Sequence, residues 1–435
     1  MGTDLSEEHD NYMAGQFSPL ERKSIEPIAL AMEDSNVRSM QRFVSDAPWD
    51  EAKMIAKYRS FVNDDLGSPD GALIFDETGF LKKGQDSIGV ARQYCGPVGK
   101  VDNCQVGVFA GYVSEYGYAL VDKRLFIPEK WFTKVYRERR RKCKLPPETI
   151  FRTKPKLAVE MLEAISKENV LPFSYVLAGS IYGASQEFIS TVERLPDKTY
   201  FVSIPKDTQC WLKQPMLFTK EYRWGGKARK KTVLADPSGK PMTVEELGRR
   251  INDYFWYRRQ VSEGTKGPIV YEFTRRRILL SGSGLPQKTV WLLIRRTLGD
   301  KPEYSYFISN VASSIRLKTL VWLSGLRWAI EQCFEETKTE LGMDHYEVRK
   351  FPGWHHHMLT CMLAHFFLWH LKIRLGKKAP SITLSQLRIL IEMILPLKRK
   401  TFESLLDQIA WIQARNHRAY LSHRRRRIGE IVEEH

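Results

Sequence analysis

Between residues 17 and 63, apolar positions recur three and four apart, which predicts a run of amphipathic helices. Ser18-Pro19-Leu20-Glu21 combines an N-cap serine, a proline at the first helical position and a capping-box glutamate. A first helix is therefore expected to start there and to turn Ile25, Ile28, Ala29 and Met32 inward. A second is expected from about Ser35, carrying Met40, Phe43 and Val44, and a third after Trp49, carrying Met54, Ile55 and Tyr58. The turn-rich stretch from Asn63 to Gly71 closes this part of the chain.

Beyond it the period changes. Residues 72–75 form a short apolar strand expected to end on Asp76, and 104–110 and 116–122 give two more, an antiparallel set. Residues 154–166 read as a helix with Leu157, Met161, Leu162 and Ile165 on one face, followed by a strand at 174–178, a short helix at 185–192 and a strand at 200–204. Three meandering strands followed by alternating helix and strand is the order of a mixed α/β sheet. From about Lys206 to Asn310 the texture changes again. Residues 222–224, 231–234, 269–273, 290–297 and 304–309 read as strands between Gly- and Pro-rich turns, which predicts a β-rich insertion separate from the core. Helix returns at 318–340 and dominates the remainder.

Composition narrows the function classes. The chain has 435 residues, more than one ordinary domain, and its 43% hydrophobic content supports a sizeable core. Lys and Arg outnumber Asp and Glu by 68 − 51 = 17, an excess that points to a polyanionic partner. The first ten residues are acidic and polar, unlike a secretion leader, and no apolar run approaches the ~20 residues of a membrane span. No membrane association is expected. The six cysteines are scattered without a C-x-x-C pair, so reduced cytosolic thiols are expected, with neither a structural zinc site nor a cysteine nucleophile.

Candidate chemistry centres on acids. Asp76 follows an apolar strand, a place from which side chains reach active sites, although most acids there are turn residues. Arg327-x3-Glu331-x6-Lys338 lies on a predicted helix, with all three residues within about 60° of one another around its axis. The bland alternative is a solvated salt-bridge ladder, against which the apolar Trp322, Leu326 and Ile330 argue. Basic runs occur at Lys227, Arg229, Lys230 and Lys231, at Arg275, Arg276 and Arg277, and at Arg424 to Arg427. The histidines 355–357 splay around a helix and cannot all face one ion, so they are expected to pack or to lie near DNA.

Taken together these residues resemble a known pattern. Asp76-Glu77-Thr78-Gly79-Phe80-Leu81-Lys82-Lys83-Gly84, then Gly89 to Tyr94, Gly99-Lys100 and Asn103-Cys104-Gln105, are similar to the first-aspartate region of DDE transposases of bacterial insertion sequences. The branch is the seven-oh-one type within the insertion-sequence-four-like group. Arg327-x3-Glu331-x6-Lys338 resembles that group's third-acid motif, and Asp344-His345-Tyr346-Glu347-x-Arg349 and Gly353-Trp354-His355-His356-His357 continue the branch's pattern. The resemblance runs from about Glu21 past His357.

It implies an RNase H-like mixed-sheet core interrupted by an all-β insertion, with helical N- and C-terminal parts. Five stretches follow: a helical module at 1–66 that binds DNA or supports packing, the first part of the core at 67–205, the insertion at 206–312, the second part with the glutamate helix at 313–375, and a basic helical region at 376–435. It further implies that Asp76 and Glu331 ligate Mg²⁺ or Mn²⁺, two ions in the family's intact site, because hard oxygen donors suit such cations. Double-stranded DNA, both transposon ends and target, is the implied partner, met by a homodimer in the cytoplasm of a bacterium, at the nucleoid. Lys82, Lys83, Arg327, Lys338, Lys230, Lys231, Arg275 and Arg276 are the candidate DNA contacts, with Lys82 and Lys83 expected beside Asp76.

The pattern breaks at its second acid. The family has Asp followed by Ser-x-Tyr-Gly, where this chain has Gly179-Ser180-Ile181-Tyr182-Gly183. Three readings of Gly179 compete: a decayed element copy, a deliberate disabling, or replacement of the acid by another such as Glu187. The motif's usual tyrosine, three residues before Arg327, is Ser324. Two functions are therefore expected to compete: a transposase impaired at one ligand, and a catalytically silent DNA-binding protein.

Overall fold

Ala72, Leu73, Ile74 and Phe75 are all buried, and a strand apolar on both faces belongs in the middle of a sheet. The computed structural model describes residues 6–224, 227–264, 267–376, 382–398 and 401–433, and puts that strand, β1 (Ala72–Leu81), at the centre. The short β2 (Ala91–Cys95), missed in the sequence, pairs with the start of β3 (Lys100–Ser114). β3 lies antiparallel to β1, and β4 (Gly117–Phe126) lies antiparallel to β3. On the other flank β5 (Tyr175–Ala178) runs parallel to β1, and β6 (Thr199–Ile204) parallel to β5. The order β4-β3-β1-β5-β6, three strands antiparallel and then two parallel, is the RNase H-like arrangement.

β1 does not end on Asp76. It runs on to Leu81 because β3 continues to pair with it, while its parallel neighbour β5 stops at Ala178, opposite Phe75. Asp76 thus sits where one neighbouring strand has ended and the other has not.

The insertion is mostly β. It comprises β7 (Gln209–Trp211), β8 (Leu217–Trp224), β9 (Lys227–Leu234), β10 (Met242–Thr243), β11 (Tyr257–Gly264), β12 (Gly267–Gly282), β13 (Leu285–Arg296) and β14 (Tyr304–Ser309). A helix, Val244–Arg250, starts from a complete capping box of Thr243 and Glu246. Its expected separateness from the core needs correction. β14 pairs antiparallel with β6, from Ile204 opposite Tyr306 to Phe201 opposite Ser309, so β13, β12, β7 and β10 extend the core sheet. The open edge of β6 needs hydrogen-bonding partners, and the buried apolar strand β14 supplies them.

Among the described residues four helices precede the sheet: Ser6–Gln16, Ile25–Ala31, Val37–Asp46 and Glu51–Leu66. The expected start at Ser18 is wrong. The Ser18 hydroxyl is turned back to donate to the Gly15 carbonyl at 2.6 Å, closing the preceding helix, and the next begins after Ser24. Their apolar faces pack around the long helix Phe351–Leu375, which is buried over most of its surface. The three histidines are spent in this packing. His355 pairs with Glu51 at 3.0 Å, His356 stacks on Trp49 with ring centres 4.1 Å apart, and His357 bonds the Tyr12 hydroxyl at 2.7 Å. Arg59 is buried against Asp122 at 2.6 Å and Glu168 at 2.5 Å, tying Glu51–Leu66 to β4 and to helix Lys154–Glu168.

Helices Leu384–Glu392 and Phe402–Glu433 end the described chain, with Arg424 and Arg425 exposed. The side chains of Arg426 and Arg427 lie outside the described residues. Among the described residues no helix is long and apolar enough to cross a membrane.

Candidate active site

The predicted helix over 318–340 is two helices, Leu317–Leu326 and Trp328–Leu341, with Arg327 at the joint. Arg327 keeps helical backbone angles there, φ −59° and ψ −27°, and its side chain reaches the sheet. Its Nη1 donates to Asp76 Oδ2 at 2.9 Å, and its Nη2 donates to Glu331 Oε1, so one guanidinium carries both candidate ligands. The other Asp76 oxygen, Oδ1, accepts the Glu77 backbone N–H at 2.9 Å. Burial is the main cause that pushes the Asp76 pKa up to about 6; Arg327 pulls it down, while Glu77 and Glu331 push it further up. A carboxylate in that state lacks sufficient positive charge around it.

Gly179 lies at the same point. It follows the last residue of β5 and caps the short helix Ser180–Gly183, with φ −70° and ψ 176°, a conformation open to any residue. A Cβ built there would lie 3.7 Å from Asp76 Oδ1 and clash with nothing. The position thus has room for a Cβ beside Asp76 and contributes no oxygen. The Glu187 carboxylate pairs with Lys156 at 2.7 Å.

Glu77, beside Asp76 in sequence, was not foreseen. Its carboxylate accepts from the Tyr182 hydroxyl at 2.7 Å and pairs with Lys154 at 3.0 Å, linking β1 to Ser180–Gly183 and to the start of helix Lys154–Glu168. Arg295 was missed as well. It lies in β13, packs on the Tyr271 ring at 4.5 Å, and lines a cavity of about 400 Å³ with Arg327, Trp328, Glu331 and Ser324. Burial lowers its pKa from the ordinary value, and both Arg327 and Glu331 lie within electrostatic reach. Only the pairing of β14 with β6 brings this residue to the glutamate helix.

The other candidate cations divide. Lys338 is turned inward, donating to Thr78 Oγ1 at 2.7 Å, and clamps the glutamate helix to β1. Lys82 lies one residue past the end of β1, about 20 Å along an extended strand from Asp76, so the expected position beside that acid is not met. Its ammonium sits 3.3 Å from the centre of the Tyr346 ring, donates to the Tyr346 carbonyl at 2.9 Å, and is pushed down by burial to about 7. Lys83 is exposed. Arg275 packs over Trp291 at 4.6 Å and Arg276 over Phe255 at 4.9 Å. Lys230 and Lys231 lie on the exposed ribbon of β8 and β9.

The donor set is suited to a hard divalent cation but is small. Asp76 and Glu331 offer carboxylate oxygens, and Arg327 supplies the compensating charge between them. No group of three or more His, Cys, Asp or Glu placed to hold a metal occurs among the described residues.

Comparison with known proteins gives the following. The family model described as "DDE superfamily endonuclease" matches residues 3–268. A Microchaete diplosiphon protein named "Probable transposase for insertion sequence element IS701" is 27% identical over 341 residues, spanning 78% of this chain and 76% of that one. Among solved structures, the piggyBac transposase synaptic complex with hairpin DNA superposes with a TM-score of 0.45 at 10% identity, covering 93% of this chain and 76% of that chain.

Proposed function

Because the chain belongs to the DDE superfamily endonucleases, we propose that it is an insertion-sequence transposase acting on double-stranded DNA, weakened in strand cleavage by the glycine at its second acid position. The observation that carries this reading is the meeting of Asp76 and Glu331 on one guanidinium, beside a vacant position at Gly179 that accepts a side chain. The net charge of +17 supports a polyanionic partner. The relative's printed name supports transposition as the setting.

In this reading Asp76 and Glu331 hold Mg²⁺ or Mn²⁺. A metal bound there would supply activation of water or a 3′-hydroxyl and stabilisation of the leaving oxygen in an in-line phosphoryl displacement. The chain's own groups do the rest. Arg327 keeps the two carboxylates in register and holds Asp76 ionised against its burial. Lys338 fixes the glutamate helix on β1, so that Glu331 faces Asp76. Arg295 presents a cation to a phosphate entering the cavity. Gly179 offers no third carboxylate, so the donor set would be one oxygen ligand short. A homodimer on paired ends, in a bacterial cytoplasm, completes the reading.

The same vacancy favours a second reading, a silent protein that binds transposon ends and does not cut them. Cleavage and joining of a labelled transposon-end duplex with Mg²⁺ or Mn²⁺, run with the parent and with Gly179→Asp, separates the two. Weak cleavage by the parent, raised about 100-fold or more in Gly179→Asp, is the expected result. Inactivity of both with tight end binding would leave the silent protein. Equal activity of both would overturn the assigned role of position 179.

A further inference from the structure

Strands β8 and β9 form a ribbon of their own, outside the main sheet. All of β8 is exposed, and β9 is exposed except at Val233 and Leu234. The antiparallel register sorts the side chains. One face carries Phe218 opposite Val233, Lys220 opposite Lys231, Tyr222 opposite Arg229 and Trp224 opposite Lys227. The other carries Leu217 opposite Leu234, Thr219 opposite Thr232, Glu221 opposite Lys230 and Arg223 opposite Ala228. The acid of the ribbon, Glu221, is therefore on the second face, where it pairs with Lys230 at 3.1 Å.

The first face has cations at Lys220, Lys227, Arg229 and Lys231, rings at Phe218, Tyr222 and Trp224, and no acid. Trp224 is 70% exposed. Lys220 directly opposite Lys231 is a like-charge cross-strand pair, which costs stability. A row of phosphates relieves that repulsion, and rings interleaved with cations suit nucleic acid. The dimensions agree: the eight residues of β8 span about 27 Å, and a two-stranded ribbon fits the ~12 Å major groove.

We propose that the Phe218–Lys220–Tyr222–Trp224 face of this ribbon is a duplex-binding arm. Lys220, Lys227, Arg229 and Lys231 contact phosphates, and Trp224, at the turn end, packs against a base or sugar. The proposal rests on the transposase reading and names the surface by which DNA is held away from the acids. It separates the neighbours Lys230 and Lys231, since only Lys231 faces the duplex.

The test is binding of the full-length protein to a labelled random-sequence duplex, followed by anisotropy across a range of KCl. The triple variant Lys220→Ala, Arg229→Ala, Lys231→Ala is expected to flatten the dependence of log affinity on log salt by about 2–3 in slope. Trp224→Ala is expected to weaken binding about tenfold with the slope unchanged. The pair Arg223→Ala, Lys230→Ala, on the opposite face, is expected to stay near the parent. All these positions are exposed, and matching thermal melts check that each variant folds. Parental affinity and slope in the triple and Trp224 variants would overturn the arm and leave the transposase reading standing. A loss in the opposite-face pair equal to that of the triple would overturn the assignment of the face. A marked preference for single strands would overturn the duplex as ligand, and a parent with no salt-dependent DNA binding would overturn both readings.

Discussion

Arg327 holds Asp76 through a 2.9 Å hydrogen bond from Nη1 to Oδ2, and its second nitrogen is committed to Glu331. Arg327→Ala is expected to raise the Asp76 pKa above its value of about 6. The variant loses about 2 kcal/mol at pH 8, the scale of a hydrogen bond to a charged group. The loss is smaller at pH 5, where Asp76 is mostly protonated with or without its partner. Urea unfolding at both pH values checks this. Equal losses at the two would remove the ionic role.

Asp76→Asn probes the same site through linkage. The ordinary aspartate pKa is 3.8 and the folded value about 6, so as pH rises the unfolded chain releases its proton first and the parent loses stability between those values. The Asn variant lacks that titration. Its advantage over the metal-free parent is expected to grow from pH 4 to pH 6 and level at about 2–3 kcal/mol. Mg²⁺ is expected to restore the parent and leave Asp76→Asn unchanged. Thermal melts across pH, with and without metal, read both effects.

Gly179→Asp is expected to fold, since the backbone is open to any residue and the new Cβ meets Asp76 Oδ1 only at 3.7 Å. A second carboxylate beside Asp76 lowers metal-free stability at pH 8 by about 1 kcal/mol, and saturating Mn²⁺ reverses the order. Cleavage of the end duplex rises about 100-fold or more, roughly 2.7 kcal/mol of barrier. Metal-insensitive melting of this variant would show that position 179 adds no ligand.

The Arg59 cluster predicts a different kind of failure. Arg59→Ala removes one of two cations on buried Asp122, which keeps Arg124 at 2.5 Å, and frees Glu168. It is expected to cost about 2–3 kcal/mol, the scale of hydrogen bonds to charged groups, and Arg59→Lys, which cannot serve both acids with a planar fork, recovers only part of it. Denaturant midpoints at neutral pH measure both.

Much of the core was legible because its strands and helices are defined by their own apolar residues. The helix expected at 154–166 is Lys154–Glu168, and the strand expected at 174–178 is Tyr175–Ala178. The failures have two causes, a strand partner remote in sequence and a competing local contact. Asp76 looked like a strand end because the apolar run stops there, while β3 extends the strand through its own hydrogen bonds. The serine, proline and glutamate at residues 18–21 satisfy a local rule for a helix start, but Ser18 closes the helix before it.

The candidate site divides in the same way. Arg327 and Glu331 share a face four residues apart, so local spacing could reveal them. Arg295 carried no local signal. It sits in an ordinary strand, and only the join between β14 and β6 makes it a neighbour of the glutamate helix. Glu77 could have been suspected from its place beside Asp76, but its partners Tyr182 and Lys154 come from separate helices.

The pairing of Ile204 with Tyr306 has a consequence for how such a chain can change. The polypeptide leaves the core on β6 and returns on the strand next to it, so a single tight connection could stand in place of β7 to β13. Everything between is therefore entered and left through neighbouring strands of one sheet. Swapping it would carry away Arg295 and the β8–β9 ribbon but leave Asp76, Arg327 and Glu331 where they are. The freedom has one condition: β14 would then have a bare outer edge, and any replacement must cover that edge or the molecules will join along it.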